Sequence, residues 1–209
     1  MIAEPATTLT DFLLAILAWW WAWSLRQGGL KVERSRRFWA CGMALQGAGA
    51  FLGGIFHGFP TPLGPEAGSL LWLLTLVLLS VASAAFVVGL GVAVLPARAA
   101  RILLVAMGVK VTVYAVWIWQ QNDFFPALCD QALGLSLLVV LLLLGRKYLR
   151  SVIPNIALGL MAIVLGGLIQ QFRFGLHEHF NHNDIYHLFG GLALWCFFRA
   201  GRHLYDHVA

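Results

Sequence analysis

Apolar residues run through this chain in long blocks, not in strict alternation. Seven windows stand out, at roughly 8–25, 38–58, 70–95, 102–119, 127–145, 152–170 and 182–200, divided by charge clusters or by proline and glycine. At about 1.5 Å rise per residue, some 20 helical residues match a hydrocarbon core about 30 Å thick. The pattern predicts an all-α polytopic membrane protein of seven transmembrane helices, forming a single domain over residues 1–209.

Composition agrees with the pattern. Of the 209 residues, 60% are hydrophobic and 11% charged, whereas ordinary soluble domains carry about 25% charged residues. So little polar surface excludes a water-soluble globule.

The net charge of +5 might suggest nucleic acid, but the distribution of the charges points to topology. "RQGGLKVERSRRF", "PARAAR", "GRKYLR" and "RAGRH" occupy alternate connections and hold 12 of the 14 Lys and Arg residues. The other connections hold seven of the nine acidic residues. The positive-inside rule therefore predicts an N-terminus outside and a C-terminus in the cytoplasm, in an inner or plasma membrane, with no nucleic-acid partner. Positive charge follows the first apolar block instead of preceding it, which argues against a secretory signal peptide. Cys41, Cys129 and Cys196 are scattered and form no metal or disulfide motif.

Several features have packing explanations. Gly49 with Gly53, and Gly54 with Gly58, have the G-x-x-x-G spacing that lets helices approach closely. Trp19, Trp20, Trp21 and Trp23 suit an interfacial belt and helix packing. Lys110, within the fourth helix, either snorkels or pairs internally. A retinal role is set aside because microbial-type rhodopsins carry their lysine on the last helix, and this last helix has none.

Chemistry gathers in "FGLHEHFNHNDIYHLFGG", residues 174–191. Apart from His187, the apolar part of the last block is only Ile185–Phe198, too short to span. The helix must therefore begin near 180–182 and carry His182, Asp184 and His187 in its first turns. Ionisable groups at membrane depth are functional candidates by default. His57, in the last outer turn of the second helix, and Asp11, near the start of the first, reach the same level. Glu66, Asp123 and Asp130 decorate outer loops or helix ends, and His177 and His179 precede the last helix. Imidazoles with a carboxylate form the ligand set of catalytic zinc, which makes a bound water available as hydroxide near neutral pH. His182 and His187 are five apart, about 140° round a regular helix. They share a metal only if His182 precedes the helix or sits in a distorted turn. Asp11 and Asp184 also have a plainer reading, as helix N-caps.

Seven helices, an outer N-terminus, a His ending helix two and a His motif opening helix seven resemble the CREST superfamily. That group includes the alkaline ceramidases and the progestin and adipoQ receptors. The resemblance implies a zinc between a Ser-x-x-x-His on helix two, an Asp near helix three and a His-x-x-x-His on helix seven. His57 and His187 match ligand positions. Gly53 stands where the Ser would be and Asn183 where the first His would be, and no Asp opens helix three, Glu66 being the nearest acid.

The expectation is therefore a zinc-dependent membrane hydrolase of a lipid amide or ester. His57, His182 and His187 would hold the metal, with Asp184 or Asp11 as ligand or general base and an acyl chain received in the apolar interior. The alternatives are a non-enzymatic receptor, sensor or transporter that uses the His/Asp cluster for ligand or proton binding, and a haem protein with His57 and His187 as axial ligands.

Overall fold

The computed structural model describes residues 2–27, 32–120, 125–177 and 180–207. Among them stand seven α-helices: α1 (Pro5–Leu25), α2 (Arg34–Gly58), α3 (Pro60–Val94), α4 (Ala97–Gln120), α5 (Phe125–Leu144), α6 (Ile153–Gln171) and α7 (His182–Gly201). Helices α1 to α6 are each long and apolar enough to cross a membrane. Their lipid-type surface is plain on α4, where Ile102, Val105, Val109, Val113 and Val116 follow three- and four-residue spacing and are each more than half exposed. A helix in water would turn such a stripe inward. The protein is thus all-helical and built for a membrane.

Helix α3 starts earlier than the sequence pattern suggests. "PTPLGPEAGS", read as an outer connection, is helical from Pro60 with a break at Gly64, whose φ of 70° lies in the left-handed region. Proline is tolerated in the first turn of a helix, where its missing N–H costs nothing. Pro60 opens the first short segment and Pro65 the long one, so these prolines mark helix starts and not a loop.

Close approach of α2 and α3 rests on Gly89, where a Cβ would lie 3.0 Å from the Ser35 carbonyl oxygen and 3.2 Å from the Trp39 nitrogen. Of the spaced glycines of α2, Gly54 and Gly58 face Phe12 and Thr8 of α1, while Gly49 faces Leu79 of α3. Trp39 is wholly buried. Its indole N–H donates to the Phe197 carbonyl at 2.7 Å and its ring packs on Phe86 and Phe197, joining α2, α3 and α7. Helices α1 and α7 run side by side in the same direction, from Thr7 against Asp184 at one end to Trp21 stacked on Phe198 at the other. Trp20 and Trp23 face outward.

The basic end is closed by the C-terminal tail. Glu33 occupies the cap position of α2 without making a side-chain cap bond. Asp206 does this work from the tail, accepting the Arg34 and Ser35 N–H groups at 3.1 and 3.0 Å. Arg36 donates to the Arg202 carbonyl, Leu204 is fully buried, and the His207 N–H reaches the Ala93 carbonyl.

A lysine–aspartate ion pair lies inside the bundle. Lys110 Nζ of α4 is 2.7 Å from Asp130 Oδ1 of α5 and donates to Ser80 Oγ of α3 at 3.2 Å; Ser80 in turn donates to Asp130 Oδ1 at 2.9 Å. Lys110 therefore pairs internally. Asp130 is not on an outer loop or helix end but buried within α5.

Two predictions follow from these contacts. Lys110→Met strands a buried carboxylate and lowers stability by roughly 3–5 kcal/mol, while Lys110→Met with Asp130→Leu recovers most of the loss. Unfolding midpoints of the detergent-solubilised single and double variants measure this, and a double variant no better than Lys110→Met alone contradicts it. Asp206→Ala removes both acceptors at the α2 N-terminus and costs about 1–2 kcal/mol, whereas Asp206→Asn, which keeps an acceptor oxygen, costs less. The same unfolding measurement ranks the two.

Candidate functional site

The start of α1, the end of α2, the end of α6 and the start of α7 meet at the end opposite the tail. The local chemistry of α7 sets the frame. Asn181 caps the helix by accepting the Asn183 N–H at 2.8 Å, and Asp184 Oδ2 accepts the Asn181 N–H at 2.7 Å, a reciprocal capping box. The other Asp184 oxygen accepts the Thr7 hydroxyl at 3.0 Å. Asp184 is fully buried with both oxygens bonded.

One turn further in, the same two helices meet again. Thr10 Oγ1 lies 2.8 Å from His187 Nδ1, and Asp11 Oδ1 lies 3.3 Å from His187 Nε2. Asp11 Oδ2 is buried without a hydrogen-bond partner. Beside this pair, Glu4 Oε1 stands 3.4 Å from His57 Nδ1, and Glu4 Oε2 accepts from Asn183 Nδ2 at 3.4 Å. Gln170 of α6 donates to Asn183 Oδ1 at 2.9 Å, leaving its own carbonyl oxygen buried and unpartnered. His57 also packs edge-on against Phe56 and Trp72.

The structure thus brings together four of the five residues singled out from sequence: Asp11, His57, Asp184 and His187. Their roles separate. Helix α1 opens at Pro5, so Asp11 sits in its second turn and is not a cap. Asp184, named as a ligand or base, is instead committed to the capping box and Thr7, with no oxygen left over. His182 is the first residue of α7, and helical geometry from there turns it about 140° from His187, which faces α1. The early or distorted placement it would need is not met. His177 is exposed in a turn bridged to Phe180. Asp123 and His179 lie outside the described residues.

Glu4, Thr7, Thr10 and Gln170 were missed. A signal existed for two of them: in "TTLTD", Thr7, Thr10 and Asp11 fall at i, i+3 and i+4, one polar face opening an otherwise apolar helix. Glu4 precedes that helix, and Gln170 ends another, where polar residues are unremarkable.

The donor set suits a divalent metal in two respects. Two ligands about 2.0–2.1 Å from a tetrahedral zinc stand about 3.3 Å apart, which is the separation of Asp11 Oδ1 and His187 Nε2. Each imidazole also has its Nδ1 beside a protein oxygen, from Glu4 for His57 and from Thr10 for His187, leaving Nε2 for a ligand. Metal-binding histidines are commonly oriented through their second nitrogen in this way. Among the described residues, no three His, Cys, Asp or Glu side chains are already gathered at ligating distance. Asp11 and His187 form a ready pair, and His57 is the neighbouring imidazole. The same groups suit proton exchange.

No curated protein and no solved structure matches the chain. One family model does, described as "Family of unknown function (DUF6962)", over residues 6–206. That match runs from the first turn of α1 into the C-terminal tail and takes in all seven helices, so the chain belongs to the DUF6962 family.

Proposed function

We propose that this protein is a seven-crossing membrane hydrolase that acts on a lipid amide or ester through a zinc held by Asp11, His57 and His187. The observation that carries the reading is Asp11, whose carboxylate is buried in the second turn of α1 with one oxygen beside His187 and the other unanswered. A half-satisfied buried carboxylate is costly unless a cation or a proton completes it. Counting α7 as the seventh crossing is supported by its packing along α1, and a cytoplasmic tail end by the basic residues there under the positive-inside rule.

In this reading Thr10 fixes the tautomer and direction of His187, while Glu4 stands beside Nδ1 of His57 and favours its Nε2 as the ligand atom. His57 completes the ligand set by turning its ring about its own side chain towards Asp11. Zinc, when bound, supplies a water acidic enough to act as hydroxide at neutral pH. The free Asp11 oxygen is placed to hold that water's proton, and the apolar helix faces exclude bulk water and accept an acyl chain.

The resemblance to the CREST superfamily supports the reading through a compensation. Where that group has a serine on helix two, this chain has Gly53, and a Cβ there would lie 3.4 Å from Asp11 Oδ2. The Asp11 carboxylate of α1 fills the space a serine side chain would use. Asn183, where a first histidine would stand, bridges Gln170 and Glu4 instead.

Elemental analysis of the purified protein, with variants checked for fold by helical circular dichroism, tests the proposal. Wild type and His182→Ala should carry stoichiometric zinc, while His57→Ala, His187→Ala and Asp11→Asn should lose it together with hydrolysis of amide or ester lipids. Metal-free wild type, or full metal in the His57 and His187 variants, overturns it. Zinc without turnover on either lipid class favours a receptor or sensor, and a visible absorption band from haem favours the third alternative. Thr10→Val, which removes the partner of His187 Nδ1, should weaken zinc affinity roughly 10–100-fold, as read by competition with a chelator.

A further inference from the structure

At the opposite end of α7, Trp195, Arg199, Arg202 and His203 line an open cavity of about 300 Å³. We propose that this cavity is a binding site for an anionic phospholipid, with the headgroup phosphate on Arg199 and Arg202 and an acyl chain along α7 above them. The site is separate from the Asp11–His187 end and does not depend on the function proposed for it.

Charge supplies the first reason. All four lining residues are exposed, and neither guanidinium has a carboxylate within ion-pair distance among the described residues. The nearest acid in sequence, Asp206, is engaged by the α2 backbone. Each guanidinium lies over an aromatic ring instead: Arg199 is 6.0 Å from the Trp195 centroid and Arg202 is 6.0 Å from that of Phe198. Stacking of this kind steadies the planar group while leaving its N–H edge free, and that edge matches the oxygens of a phosphate in a two-point contact.

A plainer account is that arginines at a helix C-terminus answer the helix dipole and obey the positive-inside rule. It explains the sign of the charge. It does not explain why two arginines are held by rings beside a cavity, with no ion-pair partner among the described residues.

The second reason distinguishes a lipid from free phosphate. Leu188, Leu192 and Trp195 are exposed at spacings of four and three residues, and Arg199 continues the line four residues later. This single face of α7 runs from apolar surface through an indole to the arginines, the order of chain, interface and headgroup in a phospholipid. Basic pockets at the cytoplasmic ends of membrane helices are suited to anionic headgroups. The structure contains a surface that offers both halves of such a molecule their own environment.

Native mass spectrometry of the full chain in a neutral detergent tests this, with phosphatidylglycerol, phosphatidylcholine or inorganic phosphate added separately. Wild type should retain phosphatidylglycerol in preference to phosphatidylcholine, and millimolar inorganic phosphate should not displace it. Arg199→Gln with Arg202→Gln should weaken phosphatidylglycerol retention at least tenfold, while Arg98→Gln at another basic connection leaves it unchanged. Equal retention of the two lipids, an unaffected double variant, an equal loss in Arg98→Gln or displacement by phosphate alone each overturns the proposal. The helical circular dichroism of each variant confirms that lost retention is not lost fold, and Arg199→Lys with Arg202→Lys, which keeps charge without the two-point edge, should retain the lipid only in part.

Discussion

A carboxylate buried among apolar helices has to be answered from within the protein, and at Asp184 that requirement fixes how α1 and α7 sit together. One oxygen closes the capping box that starts α7, and the other takes the Thr7 hydroxyl of α1. Because the helices run parallel, the next turn repeats the meeting with the same sequence offset, Thr10 facing His187 as Thr7 faces Asp184. Asp11, one residue beyond Thr10, is thereby delivered to His187. The register of the candidate site is thus set by a contact that has no chemical role in it.

The two ends of the bundle are closed by different means. At the acidic end, side chains from four helices bond to one another in short chains: Gln170 to Asn183 to Glu4 to His57, and Thr10 to His187 to Asp11. At the basic end, backbone groups are satisfied by the tail, through Asp206, the Arg202 carbonyl and the His207 N–H. Between them, α4 presents little but aliphatic surface outward, and Lys110 gives it a polar attachment to α3 and α5. Helix ends leave unpaired N–H and C=O groups wherever they fall, so both ends need partners. Each end uses a carboxylate for this, Asp206 at the start of α2 and Asp184 at the start of α7.

How far the sequence discloses this arrangement depends on the range of the interaction. Apolar blocks are local, and six of the seven helix starts and all seven ends lie within about five residues of where the blocks put them. The exception, α3, arises because proline in a first turn and proline in a loop look alike in one dimension. The convergence of Asp11, His57, Asp184 and His187 was legible because bilayer thickness turns position along each helix into depth. Depth says nothing of direction round the axis, however. It could not show that Asp184 is spent on a cap, that His182 points away from His187, or that Asp130 meets Lys110 across two helices. Glu4 was hidden for the same reason: nothing near it in sequence reveals that His57 will be its neighbour.

Three aspartates are buried among the described residues, and comparing them sharpens what Asp11 is for. Asp130 has a lysine and a serine hydroxyl on one oxygen and Gln131 near the other. Asp184 has a threonine hydroxyl and a backbone N–H, one for each oxygen. Both are answered in full, as stability alone demands. Asp11 has His187 at one oxygen and, among the described residues, no hydrogen-bond partner at the other. Its incomplete shell sets Asp11 apart from the other two. The carboxylate left unfinished is also the one that lies beside an imidazole, that of His187, and that coincidence is what makes this end of the bundle the place where chemistry belongs.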